Sequence, residues 1–194
     1  SPLEDTAVRE ALEIGVLCHA DKERIGVGSF VDAPSLEMWH AYLPSTRVYG
    51  FDIKDFSRAT GPWTAIVRGD QSNRTDLERV ARLEDHFDVI IDDGLHASYH
   101  QQVSLSFLFS RLSSGGLYFI EDLHFQPVAE PDFPAPLTLP LLKELAYSGT
   151  WSSPVATGDE KAYLENHLRE VMFFDSMRSK PSKSRDALAV LVKA

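Results

Sequence analysis

Two stretches constrain what this chain can fold into: VIIDDGLH at residues 89–96 and LYFIEDLH at 117–124. Each is an apolar run that ends in two adjacent carboxylates, with a histidine two or three residues further on. A short, near-continuous apolar run predicts a strand buried on both faces, and such strands belong to parallel sheets covered by helices. Between the two runs, Ala97 to Leu112 places Val103, Phe107, Leu108 and Leu112 at helical spacing. The unit therefore reads strand, helix, strand. Parallel neighbours stand about 5 Å apart, so Asp92, Asp93, His96, Glu121, Asp122 and His124 crowd one edge of one sheet. Ligands bind at that edge in open α/β sheets. Acids and imidazoles gathered there predict metal binding, base catalysis or both.

The rest of the chain extends the alternation. Residues 5–20 read as an amphipathic helix, with Val8, Leu12, Val16 and Leu17 on one face. RIGVGSF at 24–30 reads as a first strand running into glycines, and Ser35–Leu43 as a helix. RVYGFDI at 47–53 and TAIVRGDQS at 64–72 are further strands, ending in Asp52 and Asp70, with a helix around Thr75–Leu83. FDVIID at 87–92 and LYFIED at 117–122 complete the parallel set, the second preceded by a Ser-Ser-Gly-Gly stretch expected to end the helix. The expected fold is α/β: a Rossmann-like, doubly wound, mostly parallel sheet. REVMFFDSM and ALAVLVKA add a closing antiparallel pair at 166–194.

Residues 125–140 hold five of the chain's 11 prolines, which suits an irregular excursion over the sheet edge. A helix is expected over Leu137–Tyr147 and another near Lys161–Leu168. No linker composition interrupts the chain, so 1–194 reads as one domain: an N-terminal helix (1–23), a ligand-binding core (24–124), a substrate lid (125–165) and closing strands. Phe125, Phe133, Tyr147 and Trp151 are candidates for packing an apolar acceptor in that lid.

Gly26 and Gly28, with Ser29, let backbone pass close to a ligand after the first strand. LEIGV at 12–16 competes for this role and is set aside, because no glycine turn or strand-to-helix switch follows it. Asp52 ends the next strand where an acid accepts hydrogen bonds from ribose hydroxyls, and Asp70 can meet an adenine amino group. An imidazole such as His96 titrates near neutrality and suits proton removal.

With 19 basic against 29 acidic residues the net charge is −10, which disfavours a phosphate-tracking nucleic-acid binder. The single Cys18 excludes an intrachain disulfide framework, and the start SPLEDTAVRE lacks a signal pattern. No apolar run is long enough for a bilayer. A cytoplasmic protein without membrane or nucleic-acid partners is expected.

Taken together, IGVGSF, VYGFDI, GDQS, VIIDDGLH and GLYFIEDLH resemble the class I S-adenosylmethionine-dependent methyltransferases. The branch they are most similar to is the metal-dependent natural-product sugar O-methyltransferases of the mycinamicin and macrocin type, whose sequences are often labelled cephalosporin hydroxylase-like. The resemblance implies S-adenosylmethionine, with Mg²⁺ as a second cofactor, and a small-molecule acceptor as partner; a homo-oligomer is left open. Gly26, Gly28 and Ser29 would line the methionine part, Asp52 the ribose, and Asp70 and Gln71 the adenine side, with Asp92 beside them. Asp93 and Asp122 match the metal-binding acids and His96 the general base, with Glu121 and His124 supporting. The family carries an acid just before its first glycine turn, and Arg24 stands at that place in this reading. Two further readings stay open: a non-catalytic cofactor-binding or assembly protein on the same fold, and a metal-dependent hydrolase or oxygenase built on the same acids.

Overall fold

The apolar runs become the strands of one sheet in the computed structural model, which describes residues 8–16, 32–124, 134–175 and 187–194. The strands are β1 (Glu10–Ile14), β2 (Arg47–Asp52), β3 (Ala65–Arg68), β4 (Phe87–Asp92), β5 (Leu112–Ile120), β6 (Leu168–Phe174) and β7 (Leu188–Lys193). Their order is β3-β2-β1-β4-β5-β7-β6. The pairs from β3 through β5 are parallel, and β7 runs antiparallel to both β5 and β6. The expected α/β, mostly parallel sheet with an antiparallel closing pair is therefore the fold.

The helices are α1 (Pro34–Tyr42), α2 (Arg74–Ala81), α3 (Ser98–Leu108), α4 (Thr138–Ser148) and α5 (Gly158–His167). One sheet face buries Leu12, Ile14, Phe51, Ile90, Tyr118 and Leu191 against α2, α3, α4 and α5. On the other face a smaller cluster joins Leu36 of α1 to Val16, Val48 and Phe56. Fully burying one such side chain is worth roughly 1.5–3 kcal/mol, so the main cluster dominates the stability. Among the described residues, no helix is long and apolar enough to cross a membrane.

Three expectations need correction. The helix over 5–20 is not formed at 10–14, which is β1. Ala, Leu and Glu favour helix locally, but Ala11, Leu12 and Ile14 are buried between β2 and β4, and tertiary burial overrides propensity. Ser113–Gly116 does not end α3; a 3₁₀ turn over Phe109–Arg111 does, and β5 runs straight through the glycines with a register shift. In the described part of 125–165, Trp151 is a core side chain rather than one free to pack an acceptor. Leu141, Leu142 and Leu145 of α4 enter the main core, and Trp151 is 0% exposed, its Nε1 donating to Ser106 Oγ at 3.0 Å. Tyr147, by contrast, is 95% exposed. Phe125 and Phe133 lie outside the described residues.

The amino end of α5 is tied to α2 by Arg74, which donates to both Glu160 carboxylate oxygens and to the Val155 carbonyl at 2.8–2.9 Å. Burial alone would raise the Glu160 pKa, but Arg74 and the Thr157 backbone N–H hold it below the ordinary carboxylate range. A depressed folded-state pKa gives stability above the unfolded value of about 4.3 that is lost as pH falls through the folded value. Glu160→Gln is therefore expected to cost about 1–2 kcal/mol at pH 7. In urea titrations the difference from wild type should vanish in acid, and an equal difference at pH 3 would contradict the assignment.

Candidate active site

Strand order reverses between β1 and β4, whose sequence neighbours diverge to opposite sides, and a crevice opens there at the carboxyl ends. It is a cavity of about 610 Å³, within the range of small-molecule and cofactor sites. Gly15, directly after β1, forms its floor with φ +86° and donates to the Phe51 carbonyl at 2.9 Å. A Cβ at Gly15 would lie 2.2 Å from the Asp93 carbonyl oxygen, so only glycine lets β1 turn against the end of β4.

The far wall comes from β2 and β3. Asp52 is buried, accepting from Val16 N at 2.9 Å and Lys54 N at 2.7 Å, so its carboxylate holds the glycine turn and lines the cavity at once. Asp70 lines it too, with Oδ1 accepting from the backbone N–H and hydroxyl of Ser72. Gln71 reaches the lining, but its amide turns inward.

The near wall carries the acids and the imidazole. His96 Nε2 lies 4.0 Å from Asp93 Oδ1 and 3.8 Å from Asp122 Oδ2, bridging the ends of β4 and β5. His96 and Asp122 have φ of +63° and +50°, the positive-φ non-glycine residues among those described. Each such conformation costs roughly 1–3 kcal/mol and persists where surrounding structure imposes it, most often at functional sites. Burial, with the nearby charges of Glu121, Glu13, Asp122 and Asp92, pushes the Asp93 carboxyl up to about 7. Burial, with the charges of Asp122 and Asp92, raises Glu121 as well. Crowded, mutually repelling oxygen donors are a hard-cation environment. Among the described residues, however, no three His, Cys, Asp or Glu side chains stand in metal-holding geometry.

The sequence expectations divide accordingly. Asp52, Asp70, Gln71, Asp93 and His96 share the cavity; Asp122 does not line it, although its Oδ2 is 3.8 Å from His96 Nε2. Asp92 does not line it: strand alternation turns this side chain to the other face, 1% exposed, where it accepts from Gln71 and Ser104. Gly26, Gly28 and Ser29 lie outside the described residues. His124 is exposed to solvent. β1 itself runs into a glycine turn at Gly15, with Glu13 before it 3% exposed, and Arg24 lies outside the described residues. Glu-Ile-Gly-Val at 13–16 is the sequence signal that marks this turn. His100, which no sequence pattern singles out, also lines the cavity. At the opposite edge, a cleft of about 420 Å³ is lined by paired charges such as Arg47 with Glu10 and Glu84.

No protein-family model matches the chain. It is 37% identical over 131 residues to the mycinamicin VI 2''-O-methyltransferase of Micromonospora griseorubida, covering 62% of this chain and 33% of that one. It is 32% identical over 155 residues to the demethylmacrocin O-methyltransferase of Streptomyces fradiae, covering 74% of this chain and 39% of that one. A tetracenomycin-C rhamnosyl 2'-O-methyltransferase of Streptomyces olivaceus is 44% identical over 103 residues, 51% of this chain and 27% of that one. Among solved structures, the MycE methyltransferase of the mycinamycin pathway, in complex with Mg, SAH and mycinamycin VI, matches with a TM-score of 0.68 at 26% identity. That match covers 97% of this chain and 45% of MycE. The chain thus spans roughly a third of the curated relatives it matches and just under half of the solved one.

Proposed function

We propose that this chain, a relative of the sugar O-methyltransferases of macrolide and tetracenomycin biosynthesis with their Rossmann-like fold, is the methyl-transfer domain of an S-adenosylmethionine-dependent O-methyltransferase acting on a natural-product hydroxyl. The observation that carries this reading is the cavity at the β1/β4 crossover, with Asp52 and Asp70 on one wall and Asp93 and His96 at the other, Asp122 lying 3.8 Å behind His96 Nε2. The whole of 1–194 is taken as one domain, and the lone Cys18 agrees with a reducing cytoplasm.

In this reading Gly15 and Glu13 take the places that the sequence pattern gives to Gly26 and Arg24, so the methionine end of the cofactor meets a glycine turn and an acid. Asp52 holds the ribose and Asp70 borders the adenine. Asp93 and Asp122 fit a hard cation such as Mg²⁺, which often uses one or two carboxylates and fills its remaining positions with water and substrate oxygens. When bound, such an ion lowers the pKa of an acceptor hydroxyl. The chain's own residues do the rest. His96 Nε2 takes the hydroxyl proton, with the Asp93 and Asp122 carboxylates near enough to favour the imidazolium that forms. The walls hold acceptor oxygen and methyl donor in line, and orientation supplies much of the rate.

The non-catalytic reading rests on Arg24, and Glu13 removes its support. Nothing observed favours the hydrolase or oxygenase reading. Transfer of a labelled methyl group from S-adenosylmethionine to a panel of sugar, phenol and carboxylate acceptors tests the proposal. We expect label in sugar-hydroxyl acceptors, and cofactor binding without transfer to any acceptor would contradict it.

Metal dependence has its own test. A ligand present at a hundred times its Kd stabilises the folded state by about 2.7 kcal/mol. Mg²⁺ should therefore raise the melting temperature in the presence of S-adenosylhomocysteine, and Asp93→Asn and Asp122→Asn should each remove that rise. No response of the wild-type protein to Mg²⁺ would contradict the assignment of these two acids.

A further inference from the structure

Gln71 lines the cavity, yet its side-chain amide is engaged with the protein. Its Nε2 donates to Asp92 Oδ1 at 2.7 Å and lies 3.1 Å from Ser104 Oγ, both contacts buried. Its Oε1 accepts from Leu95 N at 3.4 Å. The amide also packs directly on the Gly94 backbone, where a Cβ would lie 2.3 Å from Oε1. Ser104 in turn donates to Asp92 Oδ2 at 2.5 Å from the middle of α3. The network thus joins the β3–α2 loop, the end of β4 and α3. All of it converges on residues 92–95, immediately before the left-handed His96.

A non-glycine residue keeps a left-handed backbone only where its neighbours impose it. The loop from Asp93 to His96 is short, and Gln71 braces it from the cofactor side while Asp92 anchors it from the core. We infer that Gln71, with Asp92 and Ser104, is a positioning device that holds the His96 loop in its productive form, rather than a reader of the adenine ring. An adenine-reading amide needs a free donor or acceptor facing the ligand. Here both hydrogens of the amide nitrogen are taken by Asp92 and Ser104, and the oxygen is turned onto the Gly94–Leu95 backbone. Because Gln71 also forms part of the cavity wall, cofactor binding and base placement share one side chain. The role given to His96 rests on the methyl-transfer reading above.

Two substitutions test it in the full chain: Gln71→Met, which keeps the shape and loses the amide, and Ser104→Ala, which lies behind Asp92 and outside the cavity lining. Three quantities are read. These are amide hydrogen exchange of the segment 93–97, the position of the His96 ring resonance by NMR, and S-adenosylhomocysteine affinity by calorimetry. Removing a hydrogen bond that braces the loop makes its local opening easier, so roughly tenfold faster exchange of 93–97 is expected in both variants. The His96 resonance should shift in both, and in Ser104→Ala, which lies outside the cavity lining, ligand affinity should stay within about threefold, under 1 kcal/mol. The proposal is overturned if the exchange and the His96 resonance are unmoved. In that case a tenfold affinity loss in Gln71→Met would make Gln71 a cofactor reader, and a lowered melting temperature alone would make the network merely structural. Exchange and resonance are read without ligand as well, so failure of wild-type protein to bind S-adenosylhomocysteine overturns the methyl-transfer reading separately.

Discussion

His96→Ala is expected to lower methyl transfer by about 10²–10⁴-fold, the usual worth of a positioned general base, while S-adenosylhomocysteine binds almost as well as to the wild type. In the proposed mechanism the ring, which lines the cavity 4.0 Å from Asp93 and 3.8 Å from Asp122, takes the acceptor proton, whereas Asp52 and Asp70 hold the nucleoside. Its backbone supplies a control. At φ +63° any L-residue is strained, whereas glycine is not. His96→Gly should therefore be as inactive as His96→Ala yet more stable than it by about 1 kcal/mol. Steady-state rates and urea titrations of the two variants separate the imidazole from the backbone. Loss of ligand binding together with turnover in both would mark His96 as structural.

Gly15→Ala should have the second large effect, on binding rather than on chemistry. The new methyl would meet the Asp93 backbone at 2.2 Å, and the φ of +86° would strain any side chain. The left-handed penalty alone is about 1–2 kcal/mol, and a backbone clash cannot be relieved by a rotamer change. Either β1 or the end of β4 must move, and both form the cavity floor. We expect S-adenosylhomocysteine affinity to fall at least tenfold, about 1.4 kcal/mol, with a lower melting temperature. An alanine variant that binds normally would show that the cofactor does not lie over this turn.

Much of this arrangement is legible in the residues, and the failures have physical causes. β4 and β5 stand out because their apolar runs are buried on both faces, and the carboxylates that end them fall at the sheet edge by topology alone. Asp52 and Asp70 are legible in the same way. β1 is not, because EALEI is rich in helix formers and only the flanking strands make it extended. Taking it for helix passes over Gly15 and the buried Glu13 before it, and rests the reading on Gly26 and Arg24 instead. Asp92 resists assignment because two adjacent carboxylates look equivalent in a string, whereas on a strand they face opposite sides. Trp151 reads as a lid aromatic because its partner, Ser106, lies 45 residues away in α3.

The central claim is that the β1/β4 crevice is an S-adenosylmethionine site, and titration calorimetry with S-adenosylhomocysteine tests it most directly. We expect saturable one-to-one binding, lost in Asp52→Ala, whose carboxylate lines the crevice and anchors the glycine turn. No heat from the wild-type protein at high micromolar ligand, or undiminished binding by Asp52→Ala, would contradict it.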